Sequence, residues 1–212
     1  MTGLRERQKA ARERRILEAA SIKFRSHGYR SVKIEDLAEM AEVSVGTVYN
    51  YYETKGDILI ATVAMEVEEV IAAGAPILAD PPLRVDDAIL ALIFQYYDHS
   101  LEYLSKEMWR TAIAHSIEHP NTPSGRRYAE QDRRLVAQVT ELIAVLQDRG
   151  KVHRNLVATD LGVLVFSALN QAFIEFVKQD EMMLSQLRDQ ISAQIVPVAN
   201  LISVDASQSV KG

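Results

Sequence analysis

Apolar residues recur at three- and four-residue spacing along most of the chain, the pattern of helices with one buried face. Ile16, Leu17, Ala20 and Phe24 stripe a first helix over about 12–26. His27-Gly28-Tyr29 ends it, with Gly28 as a left-handed C-cap. Ile34, Leu37, Ala38 and Ala41 mark one face of a short second helix. Val43 interrupts the polar turn that follows, as a core plug between two helices would. Ser44 suits the N-cap of a third helix over about 45–51, with Val48 and Tyr52 turned inward. Thr54 and Asp57 form a capping-box pattern ahead of a helix reaching about Ala73. Its inward residues are Ile58, Leu59, Val63, Val67, Val70 and Ile71.

The ten residues from Gly74 to Leu83 include three prolines and read as a loop. Helices are then expected over about 85–104, 106–119, 125–148, 156–178 and 183–202. Pro197 should kink the last one. The tail 205–212 reads as disordered. The chain is thus all-α: a three-helix helix-turn-helix unit with a basic N-terminal arm over 1–53, then a larger helical bundle over 54–204.

The outward residues of the third helix carry the first candidate chemistry. Ser44, Val45, Gly46, Thr47, Tyr49, Asn50 and Tyr51 are small, hydroxylic, amide, aromatic or apolar, and none is acidic. A helix entering the DNA major groove needs this: close approach, donors for phosphates and base edges, and no carboxylate facing the backbone. Lys55 opens the next helix, where an amine and free backbone N–H groups can meet a phosphate. A helical hairpin with a polar face has the same local pattern.

The run Leu37-Ala38, Ala41, Val43-Ser44, Gly46-Thr47, Tyr49, Tyr51-Tyr52 and Lys55 resembles the DNA-binding signature of TetR-type (tetracycline-repressor-like) transcriptional regulators. The resemblance covers about residues 10–60. It implies a dimeric regulator, most often a repressor, that reads a pseudo-palindromic operator and answers to a small molecule bound in its second domain. Three positions depart from the pattern. Glu42 stands where glycine is common, which points to a non-glycine residue at positive φ. Lys33 replaces the usual Ser or Thr cap, and Val45 a frequent lysine.

Charge distribution agrees with a nucleic-acid partner although the net charge is −5. Residues 1–55 hold 11 Lys+Arg and 8 Asp+Glu; the remainder holds 13 and 21. A basic head thus precedes an acidic body. Residues 1–15 alone carry six Lys+Arg against two Glu, either a frayed, solvated helix start or an arm for phosphates or the minor groove.

The 212 residues include no cysteine, which excludes disulfides and thiolate chemistry. No apolar run long enough to span a bilayer and no signal-peptide core are expected from the pattern, so a cytoplasmic protein is expected. No glycine-rich phosphate loop or HExxH motif is present, so neither catalysis nor a cofactor is expected. His115 and His119 sit at i, i+4, a spacing that could share a metal, but no third ligand is fixed and a helix C-terminus also suits a histidine. Tyr96, Tyr103, Met108 and Trp109 cluster in sequence as either core or effector-pocket lining. Residues 156–178 are apolar on most sides, which points to a dimer interface with Phe166, Leu169, Phe173 and Phe176 as anchors. The alternative to a regulator is a helical-bundle binding protein or metal-dependent enzyme whose helix-turn-helix is only structural.

Overall fold

The computed structural model describes residues 3–204. The tail expected to be disordered, 205–212, lies outside them. Among the described residues the chain forms nine helices and no strand: α1 (Leu4–His27), α2 (Ile34–Met40), α3 (Val45–Tyr49), α4 (Lys55–Ala79), α5 (Val85–His99), α6 (Lys106–Glu118), α7 (Pro123–Asp148), α8 (Ala158–Lys178) and α9 (Leu184–Ile202). They fall into two compact units. One takes the residues up to Glu66 together with Ser100–Glu130; the other takes Val67–His99 and the residues from Gln131 onward.

In the first unit Ile16, Leu17, Ala20 and Phe24 of α1 are buried, as are Leu37, Ala38, Val48, Tyr52, Ile58 and Leu59. Gly28 closes α1 at φ 80°, its N–H donating to the Phe24 carbonyl at 3.0 Å. α1 begins eight residues before the expected start: the basic segment is helical from Leu4. Helix-favouring Arg, Lys, Gln, Ala and Glu fill that extension, so it needs little packing to form. α7 begins at Pro123, where Thr122 Oγ1 accepts the Gly125 N–H at 3.1 Å. A side chain at Gly125 would put its Cβ 2.1 Å from the His119 carbonyl oxygen, so glycine is required by close approach.

In the second unit α4 runs on to Ala79 through the segment read as a loop. Gly74 there serves packing: a Cβ would lie 2.9 Å from both Gln138 Oε1 and Leu92 Cδ1. Pro76 lies in the last turns, where its missing N–H costs one helical bond, and the Asp80 N–H still reaches its carbonyl at 3.1 Å. α5 ends at His99, five residues before the expected end. α9 continues past Pro197 to Ile202, and the chain closes on itself as Val204 N–H donates to the Lys151 carbonyl at 2.9 Å.

The proposed interface anchors are not on an open face. Phe166, Leu169, Phe173 and Phe176 are all buried within the single chain. Tyr97 stacks on Phe173 with centroids 6.0 Å apart and donates its hydroxyl to the Leu169 carbonyl at 2.7 Å. By length and composition α8 could cross a bilayer, which corrects the reading of no such run, but this aromatic side is packed into the unit's core.

Asp132, in α7, is largely buried, and desolvation pushes its carboxyl up to about 6. A raised carboxyl pKa means the folded chain holds the proton more tightly than the unfolded chain. The destabilisation is therefore absent below about pH 4 and grows as pH rises to about 6. Asp132→Asn is expected to raise unfolding free energy at pH 7 by up to about 3 kcal/mol, the gain vanishing near pH 4. Urea titrations at pH 4 and 7 read this; an equal effect at both would place the cause outside ionisation.

Candidate nucleic-acid interface

The reader is built from α2, a tight turn and α3. Lys33 offers no hydroxyl cap; instead its backbone N–H donates to Asp36 Oδ2 at 2.8 Å. The turn returns the Val43 N–H to the Ala38 carbonyl at 3.0 Å, and Glu42 sits at φ 54°, the one non-glycine residue at positive φ among those described. Ser44 Oγ accepts the Thr47 N–H at 3.0 Å, the N-cap bond its position called for. Val48 is fully buried and holds α3 against the unit's core.

α3 itself ends at Tyr49, two residues early. Its last turn tightens as Tyr51 and Tyr52 N–H groups both reach the Val48 carbonyl at 3.0 Å. Gly46, Tyr49 and Asn50 are exposed, while Val45, Thr47 and Tyr51 are half-buried. Thr47 Oγ1 lies 2.8 Å from Ser44 Oγ, so its hydroxyl is held in place. A Cβ at Gly46 would meet nothing closer than 3.9 Å within the chain. Glycine inside a helix costs roughly 1 kcal/mol. Packing does not demand this one, so the free space above it is available to something outside.

Two tyrosines tie α3 to α1. Tyr51 donates its hydroxyl to the Lys9 carbonyl at 3.2 Å, and Tyr52 donates to Glu13 Oε1 at 3.0 Å. Burial and the Glu13 carboxylate both hold the Tyr52 hydroxyl in its protonated form.

Thr54 and Asp57 form the expected reciprocal cap, Thr54 N–H to Asp57 Oδ2 at 2.9 Å and Asp57 N–H to Thr54 Oγ1 at 3.1 Å. Lys55 is placed otherwise than expected. Its Nζ donates to the carbonyls of Tyr29, Arg30 and Val32 at 2.8, 3.1 and 3.0 Å. It also lies 4.6 Å from the centroid of the Tyr29 ring. Burial lowers its pKa. All three ammonium donors are used, so Lys55 fastens the loop after α1 to α4 and has none left for a phosphate.

A cleft of about 540 Å3 opens in the same unit, lined by the end of the α3 turn (Tyr51, Tyr52), the Thr54–Asp57 cap, Glu13, the histidines of α6 and the start of α7. His115 Nε2 is 3.0 Å from Ser124 Oγ, and the His115 and His119 rings meet edge-on at 5.0 Å. Among the described residues no group of three or more His, Cys, Asp or Glu is placed to hold a metal. Sequence reasoning singled out the two histidines but missed Glu13, Ser124 and Arg127 of this cleft, because only the fold brings them together.

The four aromatic and methionine candidates are divided. Tyr96 belongs to the second unit and donates to Gln138 Oε1 at 2.7 Å. Tyr103, Met108 and Trp109 belong to the first. Met108 and Trp109 are buried, Trp109 Nε1–H donating to the Ser100 carbonyl at 2.6 Å, and the Tyr103 carbonyl accepts from Ser21. Packing accounts for Tyr96, Met108 and Trp109, while Tyr103 is half-buried.

Comparison with known proteins agrees with this geometry. Residues 16–62 match the model of bacterial regulatory proteins, tetR family. The HTH-type transcriptional repressor KstR of Rhodococcus jostii is 34% identical over 82 residues, which are 39% of this chain and 39% of that protein. The match thus spans about two-fifths of the repressor's length. Among solved structures, a TetR-family transcriptional regulator from Streptomyces coelicolor aligns with TM-score 0.66 at 17% identity, covering 92% of this chain and 97% of that one. The regulator FadR of Bacillus subtilis, solved with stearoyl-CoA, aligns with TM-score 0.64 at 16% identity, covering 88% and 96%. The reading head, residues 16–62, is thus similar in sequence to bacterial regulatory proteins of the tetR family, and the all-helical course of the chain is similar in fold to the solved regulators.

Proposed function

We propose that this protein is a dimeric, DNA-binding transcriptional repressor whose hold on its operator is set by a small molecule. The observation that carries the reading is α3: a capped helix with an acid-free outer face and a glycine that its own packing does not require. Gly46, Thr47, Tyr49 and Asn50 approach base edges and phosphates, Val45 packs on the groove, and Tyr51 braces the helix from behind. Each protomer supplies one such helix, and a two-fold pair reads two half-sites. The relative named above as a repressor supports the sign of regulation.

The effector is proposed to occupy the cleft beside Tyr51, Tyr52, Thr54 and Asp57. These residues end the reader and start α4, so occupancy bears directly on where α3 sits. DNA and effector then oppose each other by one shared factor.

Selection of bound duplexes from random DNA tests the reading. The unmodified protein is expected to enrich a pseudo-palindrome, and Tyr49→Ala to weaken it about 10-fold or more, since a good contact at this interface is worth roughly 1–3 kcal/mol. Enrichment of no sequence, with no salt-dependent binding to any duplex, would sink the proposal in favour of a binding protein with a structural helix-turn-helix.

A further inference from the structure

Three carboxylates meet in the cleft of the first unit. Glu13 comes from α1, Glu53 from the turn after α3 and Asp57 from the first turn of α4. Glu13 Oε1 accepts the Tyr52 hydroxyl at 3.0 Å, and Asp57 Oδ2 accepts the Thr54 N–H and hydroxyl at 2.9 and 2.8 Å. These donors are neutral, so they leave the negative charges in place. Among the described residues none of the three carboxylates is in an ion pair. Arg127 is the one guanidinium on the lining, and no lysine stands there. Three carboxylates against one guanidinium leave the lining net negative by two charges, with the histidines counted neutral.

Charge alone would gather loose counterions; the surface around it selects further. Tyr51 and Tyr52 line the same cleft, their rings 6.3 Å apart and 34° from parallel. Both rings are held, Tyr51 by the Lys9 carbonyl and Tyr52 by burial and Glu13. Fixed aromatic rings attract a weakly hydrated cation, and little ordering is needed when it arrives. A bare metal ion fits worse. His115 Nε2 already lies 3.0 Å from Ser124 Oγ, and no three described ligands converge. An anion would meet the carboxylates. The cleft's volume of about 540 Å3 lies within the range of roughly 300–1,000 Å3 usual for small-molecule sites.

We propose that this cleft takes an organic cation, an amine or quaternary ammonium on an apolar or aromatic body. Tyr51 and Tyr52 bear on the body, and Glu13, Glu53 and Asp57 surround the charge. This names the chemical class of the effector placed in the cleft above, and it rests on that placement. The charge sits where the end of the reader, the start of α4 and α1 meet, so one bound cation ties three elements together.

The test uses three probes that share one body: 4-phenylbutylamine, 4-phenylbutanol and 4-phenylbutyrate. Each is titrated calorimetrically into the full chain at fixed ionic strength. The amine is expected to bind about 10-fold more tightly than the alcohol, and the carboxylate more weakly than either. Glu13→Gln with Glu53→Gln removes two charges from the lining, while an amide oxygen can still accept the Tyr52 hydroxyl. That pair should bring the amine down to the affinity of the alcohol, a loss of about 10-fold. Glu35→Gln with Glu39→Gln, at exposed positions of α2 outside the cleft, should leave the preference intact. Circular dichroism checks that both pairs fold. The probes are then added to the complex with a duplex enriched from random DNA. The amine is expected to weaken DNA binding by the unmodified protein and not by the cleft pair. A preference that survives the cleft pair, or no saturable binding of the amine at about 1 mM, overturns the cation site. If the alcohol binds as tightly as the amine and also weakens DNA binding, the effector placement stands without its cation. An amine held in the cleft with DNA affinity unchanged overturns the effector role and leaves the cation site standing.

Discussion

Lys55→Ala is expected to destabilise the DNA-reading unit by about 2–4 kcal/mol and to leave the salt slope of DNA binding unchanged. Three carbonyls, of Tyr29, Arg30 and Val32, converge on one ammonium. Bonds to a charged donor contribute about 1.5–3 kcal/mol each when desolvated, less where water can replace the donor. Water reaches part of this half-buried site, which sets the lower figure. The Tyr29 ring adds a cation–π contact that Ala also loses. Lys55→Arg should rescue little, because a planar fork cannot aim at three carbonyls grouped around a point charge. Urea unfolding and thermal melting read the stability, and DNA titrations at several salt concentrations read the slope. A stable variant with its slope reduced by about one charge would return Lys55 to the phosphates.

That residue illustrates what a sequence conveys and what it does not. The reader was legible because its constraints are local. Leu37, Ala38, Val43, Val48 and Tyr52 encode two short packed helices, and Ser44 caps α3 by accepting the N–H three residues on. Glu42 showed its strained φ because nothing but the turn geometry had to be known. Lys55 was misplaced because its partners lie 23 to 26 residues upstream, on a loop whose carbonyls no pattern announces. Gly74 and Pro76 suggested a loop for a similar reason. Gly74 is small because Gln138 and Leu92 press on it, and both come from other helices. Tyr96 and Trp109 stand close in sequence, yet the division between His99 and Ser100 assigns them to different units. The cleft beside the reader draws on α1, α6 and α7 as well, so its Glu13, Ser124 and Arg127 gave no sign in the sequence.

Assembly separates burial from exposure on α8. The amount of apolar surface on α8 points to an interface, with its largest side chains as the expected anchors. The fold turns Phe166, Leu169, Phe173 and Phe176 inward. It leaves Val163 and Leu164 outward, 52% and 53% exposed, on a face with Ser167 and Gln171. On α9 the open face is Gln186, Gln190, Ala193, Gln194, Pro197, Asn200 and Leu201, the last 81% exposed. Asp189, at the edge of that face, is the one charged residue among those exposed on α9. Exposed helix faces are ordinarily charged, and the centre of a protein interface is depleted in charge. These faces of α8 and α9 are therefore where a second copy is expected to dock. Two substitutions should then behave differently. Leu169→Asp buries a carboxylate in the unit's core beside Tyr97 and is expected to unfold the protein. Leu164→Asp together with Leu201→Asp places charge on the open face, and is expected to give a folded monomer with unchanged helix content. Sedimentation at micromolar concentration reads the mass, and circular dichroism the fold. Affinity for a two-half-site operator should fall steeply in that monomer, because each reader then binds alone. A double variant that sediments as a dimer would place the interface on another face.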